Sequence, residues 1–245
     1  MNVLILVASP KRRGGASRLF SSVLRLFLAG CHVTTLPLRG PGDEAAAMDA
    51  IKKADAVVLA APLYIDSAPS HVLSFLEHAE PVVRQEKLHF TLYALSNNGF
   101  IEGKQNEPHL RLYEAWCLRA GVVWGGGLGV GGGVMLYWQC ILIPLFLLLD
   151  TLALLQQTGE PVNIFDIYSN VFITLVLSAG LLVGAARLAW AIRHGKRHGN
   201  HYTRCLFPSF LFLIVADIFM LISALFQGTL PHKLFRRAKP ERQSA

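Results

Sequence analysis

Residues 3–17 read Val3-Leu4-Ile5-Leu6-Val7-Ala8-Ser9-Pro10-Lys11-Arg12-Arg13-Gly14-Gly15-Ala16-Ser17. The first five are a continuous apolar run, the pattern of a strand buried on both faces. A Ser-Pro and Gly-rich turn follows, then Leu19, Val23, Leu26 and Phe27 recur at helical spacing. A strand that enters a helix through such a turn is half of a βαβ unit.

The same alternation continues down the chain. Val33–Leu36 reads as a second strand and Asp43–Lys53 as an Ala-rich helix. Ala56–Ala60 is another buried strand, and Pro69 opens a helix with Val72, Leu73, Phe75, Leu76 and Ala79 on its apolar side. His89–Leu95 is a fourth strand, Leu110, Tyr113, Cys117 and Ala120 stripe a fourth helix, and Val122-Val123-Trp124 begins a fifth strand that runs into glycine. Strands alternating with helices predict a doubly wound α/β domain with a five-stranded parallel sheet over 1–134. That sheet lacks its fifth helix, which residues 135–245 are expected to supply.

Composition divides the chain in two. It is 53% hydrophobic and 16% charged, against about 25% charged for ordinary soluble domains. Residues 1–134 hold 13 Lys and Arg against 11 Asp and Glu, while 135–245 hold 10 against 5. The second half is a hydrophobic helical region with three long apolar segments: 135–155 with Pro144 and Asp150, 171–192 with Arg187, and 206–226 with Asp217. Each is about long enough to cross a bilayer, which needs roughly 20 residues. Each also carries an ionisable residue, costing roughly 2.5–3.5 kcal/mol at mid-membrane.

The link 156–166 has no Lys or Arg, the link 193–204 has four, and the tail adds Lys233, Arg236, Arg237, Lys239 and Arg242. Membrane association at the cytoplasmic face is expected, with the first two segments crossing and the third in the interface, Asp217 near water. The alternative is a cytoplasmic protein whose 171–192 helix packs on the sheet. Cys31, Cys117, Cys140 and Cys205 form no CxxC or zinc spacing, so a reducing compartment is expected. Val3–Ala8 is too short for a signal peptide, and its basic residues follow rather than precede it.

Ligands of doubly wound sheets bind at the carboxyl ends of the strands. Three loops should meet there. Ser9–Ser17 offers backbone N–H groups, two hydroxyls, a helix N-terminus and positive charge to a phosphate. Pro62-Leu63-Tyr64 offers a ring to stack on a flat ligand, and Asn97-Asn98-Gly99-Phe100 offers N–H donors, although Asn-Gly is also an ordinary turn. His194, His198 and His201 read as part of a solvated basic loop rather than a metal site. The weakly basic first domain has no reading motif for nucleic acid.

The ordered series Ser9-Pro10-Lys11 and Ser17, Ala54-Asp55-Ala56-Val57-Val58, Pro62-Leu63-Tyr64, Pro69 to Glu77, Gly99-Phe100 with Glu102 and Gln105, and Ala120–Gly126 resembles the NADPH-dependent FMN reductase family of the flavodoxin-like superfamily. The resemblance covers residues 1–134. It implies strand order 2-1-3-4-5 and an FMN-containing oxidoreductase that takes electrons from NADPH or NADH. It places Ser9, Lys11 and Ser17 at the FMN phosphate, Pro62, Leu63 and Tyr64 beside the ring, and Asn98, Gly99 and Phe100 on its other side. A quinone, a flavin or another small acceptor would suit a location at the membrane, and relatives often form homodimers. Ala16 stands where many members have a polar side chain. A non-enzymatic electron carrier or a degenerate membrane-bound interaction module is the other class the sequence allows.

Overall fold

The computed structural model describes residues 1–10, 14–139, 164–206 and 209–228. Lys11, Asp150, most of the 135–155 segment and the basic tail lie outside them. The chain forms two compact units, Met1–Leu206 and Phe207–Ala245.

The first unit is a parallel sheet wrapped by helices. Its elements are β1 (Asn2–Val7), α1 (Ala16–Phe27), β2 (His32–Pro37), α2 (Pro41–Ile51), β3 (Ala56–Pro62), α3 (Ser70–Gln85), β4 (Thr91–Asn97), a 3₁₀ turn (Gly103–Asn106), α4 (Glu107–Ala120), β5 (Val123–Val130), α5 (Ile164–Arg193) and β6 (Gly199–Thr203). Residues 133–139 are also helical. The strand order is β2-β1-β3-β4-β5-β6, and every pairing is parallel. The first five strands have the expected order, with the reversal between β1 and β3.

Alternation along the strands builds two cores. Leu4, Leu6, Val57, Leu59, Leu92 and Ala94 pack with the apolar sides of α2, α3 and α4. Residues one step out of phase, including Ile5, Val58, Leu95 and Leu128, are buried on the opposite face, where α1 and α5 lie against the sheet and each other.

Helix α5 is therefore the expected fifth helix. Leu181, Ala185, Leu188, Ala189 and Ile192 recur at helical spacing and are at most 2% exposed. Burying a Leu or Ile side chain contributes roughly 1.5–3 kcal/mol, so this stripe stabilises the domain substantially. One side of the second half of the 171–192 segment thus packs into the core of the sheet unit. Arg187 lies on this core-packed half.

Two features differ from expectation. The glycines after Trp124 are strand: β5 is Val-Trp-Gly-Gly-Gly-Leu-Gly-Val, and its lack of side chains lets neighbours close in. A Cβ on Gly127 would meet Leu110, and one on Gly129 would meet Tyr202 and Asn106. The link 193–204, read as a basic loop, contains the sixth strand. His198 N–H donates to Gly125 O (2.6 Å) and Gly131 N–H donates to Thr203 O (2.8 Å), bracketing the β5–β6 ladder. An edge strand needs little hydrophobicity of its own, which is why Gly-Asn-His-Tyr-Thr carries no strand signal.

The second unit contains α6 (Ser209–Phe226). Asp217 is exposed on it.

Candidate cofactor-binding site

The three loops expected to converge do so, and the residue that ties them is Asn97, the last of β4. Its Nδ2 donates to Ser17 Oγ at the start of α1 (2.7 Å) and more weakly to Ala61 O at the end of β3 (3.4 Å). Its carbonyl accepts from Leu63 N–H (2.7 Å). One buried amide thus joins the loops after β1, β3 and β4. No local spacing announces this contact, since residues 17 and 97 are 80 positions apart.

Of the residues expected at a phosphate, Ser9, Ser17 and the start of α1 are described and Lys11 is not. Ser9 and Ser17 are buried, at 8% and 2% exposure. Gly15 is the N-cap of α1 with φ 104°, no side chain caps the helix, and its first turn has no acidic residue. Among the described residues nothing accepts from the first N–H groups of α1, which leaves them for an anion. Asn97 occupies an acceptor lone pair of Ser17 Oγ, which leaves the Ser17 hydroxyl hydrogen to donate elsewhere. The arrangement fits a phosphate monoester.

One neighbour was not anticipated. The helical stretch 133–139, leaving β5, brings the Tyr137 hydroxyl against Gly14, where a Cβ would collide with it.

The rim is apolar and open. Tyr64 N–H and C=O pair with Ser67 C=O and N–H (2.9 and 3.0 Å), closing a two-residue turn. Its central residues Ile65 and Asp66 sit at φ 47° and 57°, left-handed conformations that cost non-glycine residues about 1–3 kcal/mol each. That turn holds Tyr64 at 46% and Ile65 at 99% exposure, while Phe100 from the next loop is 61% exposed. Pro62 and Leu63 are partly buried beneath them.

Asn98 is turned inward. It is 4% exposed, its Nδ2 donates to Glu102 O (3.1 Å), and its backbone bonds Val130 and Gly133. Gly99 and Phe100 are exposed, and among the described residues their N–H groups donate to no backbone carbonyl.

A buried network braces β4 from the other face. Ser96 Oγ donates to Asn106 Oδ1 (2.7 Å), and Asn106 Nδ2 donates to Gly103 O (2.9 Å). Ser96 has one hydrogen, so at its 2.7 Å contact with His109 Nδ1 the imidazole N–H is the donor. His109 Nε2 then accepts from Tyr113 O–H (2.5 Å). The Ser–His distance suits a nucleophile and base, but both residues are wholly buried, so the pair braces the β4 exit and offers no hydroxyl to a substrate.

Burial lowers the His109 pKa from 6.5 to about 3. The unfolded chain therefore binds the extra proton first, and stability is lost as pH falls from about 6.5 toward 3. His109→Gln keeps an acceptor and a donor but does not titrate. Urea melts should show the wild type losing roughly 3 kcal/mol more than this variant between pH 6.5 and 4.

No protein-family model matches the chain, and no curated protein matches it. Among solved structures, an NADPH-quinone reductase from P. pentosaceus aligns with TM-score 0.46 and 21% identity, over 54% of this chain and 86% of that one. The Trp repressor binding protein from Bacillus subtilis aligns with TM-score 0.44 and 14% identity, over 52% of this chain and 86% of that one. An NAD(P)H:quinone oxidoreductase from Methanothermobacter marburgensis gives 0.42 and 20%, over 54% and 84%. These likenesses are partial, and the fold follows from the chain's own topology. Its strand order, its all-parallel ladder and the helices on both faces make the first unit a flavodoxin-like doubly wound α/β domain with a sixth strand.

Proposed function

We propose that the sheet unit binds FMN and works as an NAD(P)H-dependent oxidoreductase delivering electrons to a small acceptor such as a quinone or a free flavin. The observation that carries this reading is the convergence at Asn97: an uncapped helix N-terminus and two open aromatic side chains are held on adjacent loops by one buried amide.

Ser9, Ser17 and the first N–H groups of α1 would hold the phosphate. Lys11 belongs to the same loop and lies outside the described residues. Tyr64 and Phe100 would flank the ring, with the Gly99 and Phe100 N–H groups directed at its polar edge. FMN, when bound, supplies the redox chemistry that side chains lack. The protein supplies orientation and backbone hydrogen bonds. None of these residues is a general acid or base, and a hydride acceptor of this kind requires none. The open rim leaves room for a nicotinamide and an acceptor to reach the same ring in turn.

Tyr137 favours a second reading. A side chain lying over Gly14 is either a further phosphate donor or a plug, and a plug would make the unit a degenerate, non-enzymatic module. The visible absorption spectrum of the purified protein tests the first reading, together with NAD(P)H oxidation in the presence of quinone. A flavin spectrum and turnover are expected; a colourless protein that takes up no added FMN overturns it. Tyr137→Phe separates the roles of Tyr137. Loss of a phosphate donor should weaken FMN binding about tenfold, equivalent to roughly 1.4 kcal/mol. If Tyr137 is a plug, Tyr137→Ala should instead tighten it.

A further inference from the structure

Helix α6 runs through Ser209-Phe-Leu-Phe-Leu-Ile-Val-Ala-Asp-Ile-Phe-Met-Leu-Ile-Ser-Ala-Leu-Phe226 with Asp217 as its single charge. Eighteen residues extend about 27 Å, close to the thickness of bilayer hydrocarbon. Among its described side chains the large apolar ones are in the open: Phe210 at 65%, Leu213 at 61%, Ile218 at 52%, Met220 at 67%, Ile222 at 46% and Phe226 at 89% exposure. At 3.6 residues per turn these positions occupy an arc of roughly 240°. The stripe a helix buries against protein is about 100° wide. One protein partner, including a second copy of this chain, would leave most of that arc wet.

Helix α5 shows the same feature within the sheet unit. Ahead of its buried stripe it exposes Val171, Phe172, Leu175 and Val176.

We propose that α6 inserts into the hydrocarbon of a lipid bilayer; the roughly 2.5–3.5 kcal/mol that Asp217 costs there is offset by its many apolar neighbours, each contributing roughly 0.3–0.6 kcal/mol. Lipid is the one occupant that surrounds a helix. The proposal is independent of flavin binding.

Flotation of the full-length protein with vesicles tests it, using phosphatidylcholine alone or mixed with phosphatidylglycerol. The protein should float with both, and high salt should not release it. The double variant Leu213→Glu, Ile222→Glu should float about tenfold less. Its urea transition, reporting the sheet unit, should match the wild type. Equal flotation of wild type and variant overturns the proposal. So does a detergent-free wild type that stays off vesicles as a defined oligomer dispersed by the same substitutions, which would make α6 a protein interface. FMN content is measured on the same preparations: loss of FMN with flotation intact defeats the redox reading and leaves this one standing.

Discussion

Asn97→Ala is expected to weaken FMN binding by about 10- to 100-fold, a loss of roughly 1.4–2.8 kcal/mol, and to destabilise the fold by about 1–3 kcal/mol. The buried amide donates to Ser17 Oγ at 2.7 Å, and the Asn97 carbonyl holds Leu63 N–H at 2.7 Å. Alanine keeps the backbone bond and removes the side-chain tie, so Ser17 loses the partner that turns its hydroxyl hydrogen outward. Asn97→Asp should be worse for binding despite its similar size. A carboxylate has no donor, so Ser17 would turn its hydrogen toward residue 97 and leave an acceptor facing the phosphate. The new negative charge would also lie beside the anion site. The order of affinity should be wild type, then Asn97→Ala, then Asn97→Asp, read by quenching of FMN fluorescence on titration. Equal affinities in all three would mean that Asn97 braces the fold without organising a cofactor site.

That experiment turns on a residue local sequence patterns cannot reveal. Buried strands such as Val3–Val7 and Ala56–Ala60 are legible because a strand covered on both faces must be apolar throughout. Loop positions after them follow directly, so Ser9, Ser17, Tyr64 and Phe100 are found from the strand ends. Asn97 is hidden because its value lies in a contact across 80 residues, and its neighbours Asn98 and Gly99 already explain a turn. Asn98 attracted a ring-facing role from the resemblance, yet its amide folds back on Glu102 O within its own loop.

Helix α5 was ambiguous for another reason. Its core stripe of Leu181, Leu188 and Ile192 is periodic, but Val183 and Trp190 on the other side are apolar and exposed at 58% and 53%. A helix apolar on both faces loses the contrast that separates a sheet-packed helix from a membrane span. Strand β6 failed in the opposite sense. It has almost no apolar residues, and only the glycines opposite it in β5 create its place.

Those glycines carry the second large effect. Gly126→Ala is expected to cost about 3–5 kcal/mol, a large fraction of the stability of an ordinary domain. Gly126 has φ 107°, a conformation that an alanine rarely adopts. A Cβ there would also run into the Gly199 backbone, with the carbonyl carbon at 2.7 Å, and backbone atoms cannot rotate aside as a flexible side chain can. Relief requires β6 to move away from β5, which breaks the bonds from His198 N–H and Gly131 N–H that bracket the ladder. Gly121→Ala separates the two contributions. Gly121 ends α4 at φ 77° with nothing within 4 Å of a Cβ, so it carries the strain without the collision. Its cost should be near 1 kcal/mol. Urea midpoints measure both, and amide exchange locates the damage: Gly126→Ala should speed exchange at His198 and Gly131 while leaving β1 and β3 protected. Similar costs for the two variants would show that β6 yields freely, and that the sixth strand adds little to the unit it borders.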